Sequence, residues 1–175
     1  MTAVGRARMS LVIVGALVLQ LAFLGWFRVQ GVHPDVMVLL AVVAGMVGGP
    51  DRGAIVGFVV GLVTDLFLQT PFGLSALTFC LVGYAVGLVQ GGVLRTSWWL
   101  SVATAAAASA AAEILYALLG GIVGQSQMIS DRLWLIAGVV GAANAVLAVP
   151  AERAVRWAME LSTSRARVGA VGRWR

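Results

Sequence analysis

Asp65 and Glu113 are the residues hardest to reconcile with their surroundings, because both fall inside long apolar runs. A carboxylate in such a run is costly and marks a functional candidate by default. Counted from the predicted helix starts at Gly53 and Trp98, they stand about 18 and 22 Å along their helices at 1.5 Å per residue. They would therefore share a depth in a bilayer, where no basic residue is expected. Loss of the charge, or hydrogen bonds to neighbours such as Thr64 and Tyr116, would settle them. Together with Tyr116 and Asn144 they are the intramembrane polar candidates. Three roles stay open for the pair. An aspartyl-type dyad needs two carboxyls sharing one proton and access for water. A proton or substrate site is the second, and a structural contact that caps a helix or fixes the bundle is the third.

Other chemistry finds little support. The one cysteine, Cys80, allows no internal disulfide or thiolate cluster, and the one histidine, His33, allows no multi-histidine metal site. There is no phosphate loop, zinc-protease motif or nucleophile elbow. No cofactor and no metal are expected, and an enzyme is not.

The elements that position these residues follow from composition. Of 175 residues, 61% are hydrophobic and 11% charged, with a mean hydropathy of +0.98. A soluble domain carries about 25% charge, and a disordered chain has low hydrophobicity. The reading is an all-α, polytopic membrane protein. Six spans are predicted at about 9–27, 35–49, 53–68, 72–94, 98–123 and 133–149. Each is an apolar run bounded by charge, proline or glycine. The first begins after Arg6 and Arg8, lacks a cleavage signal and reads as a retained anchor. The second opens at His33-Pro34-Asp35. The second and third are short, and a re-entrant hairpin is the alternative. It would carry Asp51 and Arg52 into the bilayer at about 2.5–3.5 kcal/mol each, so two full spans are preferred. Residues 1–161 form a single domain, with a cytoplasmic helical extension after Pro150 in which Glu152, Arg156 and Glu160 follow at i,i+4 spacing. Residues 162–175 form a basic cytoplasmic tail.

All twelve basic residues are Arg. Arg6, Arg8, Arg52, Arg95 and the six between Arg153 and Arg175 fall on the side of the termini, against Arg28 and Arg132 on the other. This asymmetry places both termini in the cytoplasm. Trp26, Trp98, Trp99, Trp134 and Trp157 lie at predicted span ends, where amphipathic rings collect. The pI near 11 therefore reflects topology rather than nucleic-acid binding. In the tail, Arg165, Arg167, Arg173 and Arg175 either attract anionic lipid or only fix orientation.

Small residues recur every fourth position. The series are Gly53, Gly57 and Gly61; Gly83, Gly87 and Gly91; Ala103, Ala107 and Ala111; and Ala137, Gly141 and Ala145. Each forms a smooth stripe that lets another helix approach closely. Packing within the bundle accounts for most of them, and four stripes leave room for a partner's helix. Gly53, Gly57, Phe58, Gly61, Asp65, Gly83, Gly87 and Gly91 are the helix-packing or partner-binding candidates.

The middle of the chain resembles the rod-shape-determining MreD family. The matching features are Pro34 and Asp35; Gly49 and Pro50; Gly53, Gly57, Phe58, Gly61, Leu62 and Asp65; and Pro71, Gly73, Ala76 and Leu77. They span roughly residues 33–90, and no family role passes to Glu113. The resemblance implies a multi-pass protein of the bacterial cytoplasmic membrane that supports cell shape and lateral wall synthesis. Its implied partners are the bitopic coiled-coil protein MreC, a peptidoglycan polymerase and transpeptidase, and the actin-like MreB. Self-association is left open. It also implies a six-helix fold similar to the substrate-binding components of energy-coupling-factor transporters. A vitamin-type transporter component is thus the alternative to a non-enzymatic scaffold. Intramembrane hydrolysis ranks third.

Overall fold

The computed structural model describes residues 3–24, 35–67, 71–93, 98–125 and 132–171. Trp26, Arg28, His33, Pro34, Arg95, Arg173 and Arg175 lie outside the described residues. Among the described residues all regular structure is helical: α1 (Ala3–Leu19), extended by a π-helical turn (Gln20–Leu24), α2 (Val36–Gly48), α3 (Pro50–Asp65), α4 (Leu74–Val93), α5 (Trp98–Ile122) and α6 (Leu133–Val171).

Three stretches are long and apolar enough to cross a membrane: Val4–Ala22, Trp99–Ile122 and Leu133–Met159. Val36–Gly48 and Leu74–Val89 are shorter apolar helices. The side chains of the long helices face outward for much of their length, with Leu11, Val18, Trp99, Ile122, Trp134 and Val146 exposed. Such a surface suits lipid rather than water.

The shortest α-helix is the most enclosed. Every residue of α2 from Val36 to Gly45 is buried, and α2 packs against each of the other five α-helices. Its hydrophobic residues face all directions, the pattern of a helix surrounded by protein. Asp35, in extended backbone, starts it by accepting from the Met37 and Val38 amides at 2.9 and 3.3 Å, the usual role of an aspartate at this position. Gly49 ends it at φ +82°, donating to the Gly45 carbonyl. The same residue precedes Pro50 at the start of α3. One left-handed glycine thus joins two antiparallel helices, a conformation other residues adopt at a steric cost.

Glycine then brings α4 onto this hairpin. A Cβ at Gly53 would run into the Gly83 carbonyl and the Gly45 backbone, one at Gly57 into Phe79, and one at Gly61 into Ser75 and Ala76. One at Gly87 would meet the Gly49–Pro50 backbone. The rising numbers on α3 meet falling numbers on α4, so the two run antiparallel in backbone contact along their lengths. Gly141 on α6 sits against Ala106 and Ala110 of α5 in the same manner.

Two boundaries differ from the sequence expectation. The third helix starts at Pro50 rather than near 53, because proline is suited to a first helical position and Asp51 adds a favourable charge in the first turn. α6 carries Pro150 as an interior residue and runs on to Val171, past the end of the helical extension expected at 161. Arg165 and Arg167 lie within this helix by sequence position.

Candidate functional site

Asp35 anchors a polar cluster that ties four helical segments together inside the bundle. Beyond its two amide bonds it accepts from Gln20 Nε2 at 3.3 Å, while Gln20 Oε1 accepts from the Val36 amide at 2.8 Å. The π-helical turn at the end of α1 begins at Gln20, and turns of this kind are frequent at functional sites. From the other side, Asn144 Nδ2 on α6 donates to the Asp35 carbonyl and to Ser109 Oγ on α5, both at 2.9 Å. Asn144 and Ser109 are fully buried. Asn144 Oδ1 has no partner among the described residues.

Glu113 stands one helical turn beyond Ser109, half-buried. Tyr116, half-buried one turn further by position, makes an interaction. The cluster takes in Asn144 from the sequence-derived polar candidates and adds Gln20, Asp35 and Ser109. Asp35 stood out in the sequence as a helix start and a family-motif residue, whereas Gln20 and Ser109 offered only polarity inside apolar helices.

Asp65 belongs elsewhere. It is 4% exposed and accepts from three backbone amides: Gly73 at 2.9 Å, Ser75 at 3.1 Å and Ala76 at 3.3 Å. Those amides open α4, where a helix has no internal acceptors for its first N–H groups. The last residue of α3 therefore caps the first turn of α4 across the connection. Thr64 does not join it, since its hydroxyl donates to its own Val60 carbonyl at 3.0 Å. None of the three amides that Asp65 accepts from belongs to α5, the helix of Glu113.

The small-residue stripes also part ways. Gly53, Gly57, Gly61, Gly83 and Gly87 all meet inside the chain. Gly91 lies in α4, and the surroundings of its position are not described. Phe58 is 47% exposed on the outer face of α3, beside exposed Ile55 and Val59. Ala103, Ala107 and Ala111 are exposed along α5. Ala103 and Ala107, with Ala85 and Val89 of α4, line an apolar groove of about 480 Å³. No group of three or more metal-ligating side chains occurs among the described residues.

An all-helical bundle with lipid-suited outer faces and a polar interior knot defines an integral membrane protein. Residues 2–150 match the family described as rod shape-determining protein MreD. The chain belongs to that family, which makes it a rod-shape-determining protein of the bacterial membrane. No curated protein and no solved structure matches it.

Proposed function

We propose that this chain is a non-enzymatic, six-span scaffold of the bacterial elongation machinery, with both termini in the cytoplasm. It binds an MreC-like bitopic protein and a peptidoglycan polymerase–transpeptidase pair, alongside actin-like MreB, to support lateral wall synthesis. The observation that carries the reading is the contrast among stripes. The glycine stripes of α3 and α4 are occupied by each other, whereas the alanine stripe of α5 stays open beside α4. Small residues along an apolar groove let a single transmembrane helix approach closely, where packing drives association between helices in lipid. The exposed Phe58 face of α3 offers a second apolar contact. On this reading the fold would be similar to the substrate-binding components of energy-coupling-factor transporters, and Arg165, Arg167, Arg173 and Arg175 of the basic tail would attract anionic lipid.

Cysteine cross-linking tests this. With Cys80 replaced by Ser, Ala107→Cys is expected to capture a bitopic partner, whereas Val146→Cys, exposed on α6, is not. Equal capture at both positions would remove α5 as the docking face.

The buried Asp35–Asn144 cluster favours one second reading, a small-molecule transporter component. Saturable binding of a vitamin-type ligand that is lost in Asn144→Leu would support it.

A further inference from the structure

The α1–α2–α6 side of the bundle holds an apolar cavity of about 310 Å³. That is within the range of about 300–1,000 Å³ typical of ligand sites. Gly15 and Leu19 of α1 form one wall, Leu39 and Leu40 of α2 the floor, and Leu147 and Pro150 of α6 the other wall. The space at Gly15 is open, with nothing near a Cβ built there. About one turn beyond the lining residues Val12 and Ala154, the Arg8 guanidinium of α1 lies 4.5 Å above the Trp157 ring of α6. Exposed Arg153 stands one α6 turn from Trp157 towards the cavity. From Arg8 to Leu19 is about 16 Å along α1 at 1.5 Å per residue.

We infer that this cavity holds one acyl chain of an anionic phospholipid, with its headgroup at Arg8 and Arg153. Three observations meet here. The walls are aliphatic, so the occupant must be hydrocarbon. The lining residues run from Val12 to Leu19 on α1 and from Leu147 to Ala154 on α6, about 10 Å along each helix at 1.5 Å per residue, an extent that suits a chain rather than a compact ring. The described charged side chains at its mouth are cationic, complementary to a phosphate; the nearest acid by sequence, Glu152, is already paired with Arg156. Trp157 holds the Arg8 guanidinium by stacking and is itself a residue suited to the headgroup level. In the cell the occupant would come from the cytoplasmic leaflet. That clause rests on the proposed orientation, while binding itself does not.

The test uses the full chain, purified in detergent, stripped of lipid and returned to mixed micelles. Phosphatidylglycerol and phosphatidylcholine with the same acyl chains are the two probes. Native mass spectrometry is expected to show one retained phosphatidylglycerol per chain, at least five times more than phosphatidylcholine. Gly15→Leu places a side chain in the space where a Cβ meets nothing within 4 Å, and should abolish retention with the melting temperature unchanged or raised. Arg8→Gln with Arg153→Gln should bring phosphatidylglycerol retention down to the phosphatidylcholine level. Equal retention of the two lipids by the native chain, or undiminished retention in Gly15→Leu, would overturn the proposal. Accessibility of an N-terminal cysteine from outside the cell would refute the orientation and leave the binding result standing.

Discussion

Two seams flank α4, and residues of similar size build them to opposite effect. On the α3 side, Gly53, Gly57 and Gly61 press against Gly83, Phe79 and Ala76 so closely that no side chain fits between the backbones. On the α5 side, Ala103 and Ala107 face Ala85 and Val89 across an open groove. A stripe of small residues therefore states only that close approach is permitted. Whether the chain itself fills that space depends on connection and register. A one-glycine turn and the Asp65 cap bind α2, α3 and α4 into one unit.

The sharpest way to break this contrast is at Gly83. Gly83→Leu would drive a side chain into Gly53 and Ala41 on two neighbouring helices. Overpacking of this kind should cost about 3 kcal/mol or more, read as loss of folded protein from membranes. Next comes Asp65→Ala, which leaves the Gly73, Ser75 and Ala76 amides without their acceptor. Each unsatisfied buried group costs about 1–3 kcal/mol, so a large drop in melting temperature is expected. Retained folding with lost cell shape would instead assign Asp65 an active role. Asn144→Leu removes two hydrogen bonds together with an unpartnered oxygen, and those effects partly offset. A loss of about 1–2 kcal/mol is expected, measurable by thermal unfolding in detergent. Ala107→Leu sharpens the comparison from the other side. Its site is exposed, so stability should change by less than about 0.5 kcal/mol, while rod shape is lost at normal protein levels. Arg156→Gln is the smallest change, since the exposed Glu152–Arg156 pair is worth about 0.3–0.5 kcal/mol.

Much of the helical frame was legible in the residues. Runs expected at 35–49, 72–94 and 98–123 appear as Val36–Gly48, Leu74–Val93 and Trp98–Ile122, because apolar stretches ended by Gly, Pro or charge leave little choice. Hydropathy alone gave α2 no different standing from its neighbours. Its enclosure depends on which helices surround it, a property of tertiary packing. The same applies to the polar cluster. Asn144 and Glu113 were conspicuous within apolar runs, yet Asn144 meets Asp35 across 109 residues, and no local spacing encodes that. Of the roles open to Asp65, the helix-capping contact is the one its three amide bonds display, and depth along a helix could not name those amides because depth ignores azimuth. The glycine series was readable as close packing, but which stripe closes and which stays open required the helix order in space.

The central claim is that the open α5 groove, not the closed glycine seam, receives a partner helix. Quantitative mass spectrometry of proteins co-purified from gently solubilised native membranes tests it, comparing the unaltered chain with Ala107→Leu. The account predicts a bitopic coiled-coil protein and a transpeptidase with the unaltered chain, and their loss with Ala107→Leu at equal bait. Unchanged recovery in the variant, or recovery of paired ATPases with a membrane coupling subunit, would contradict it.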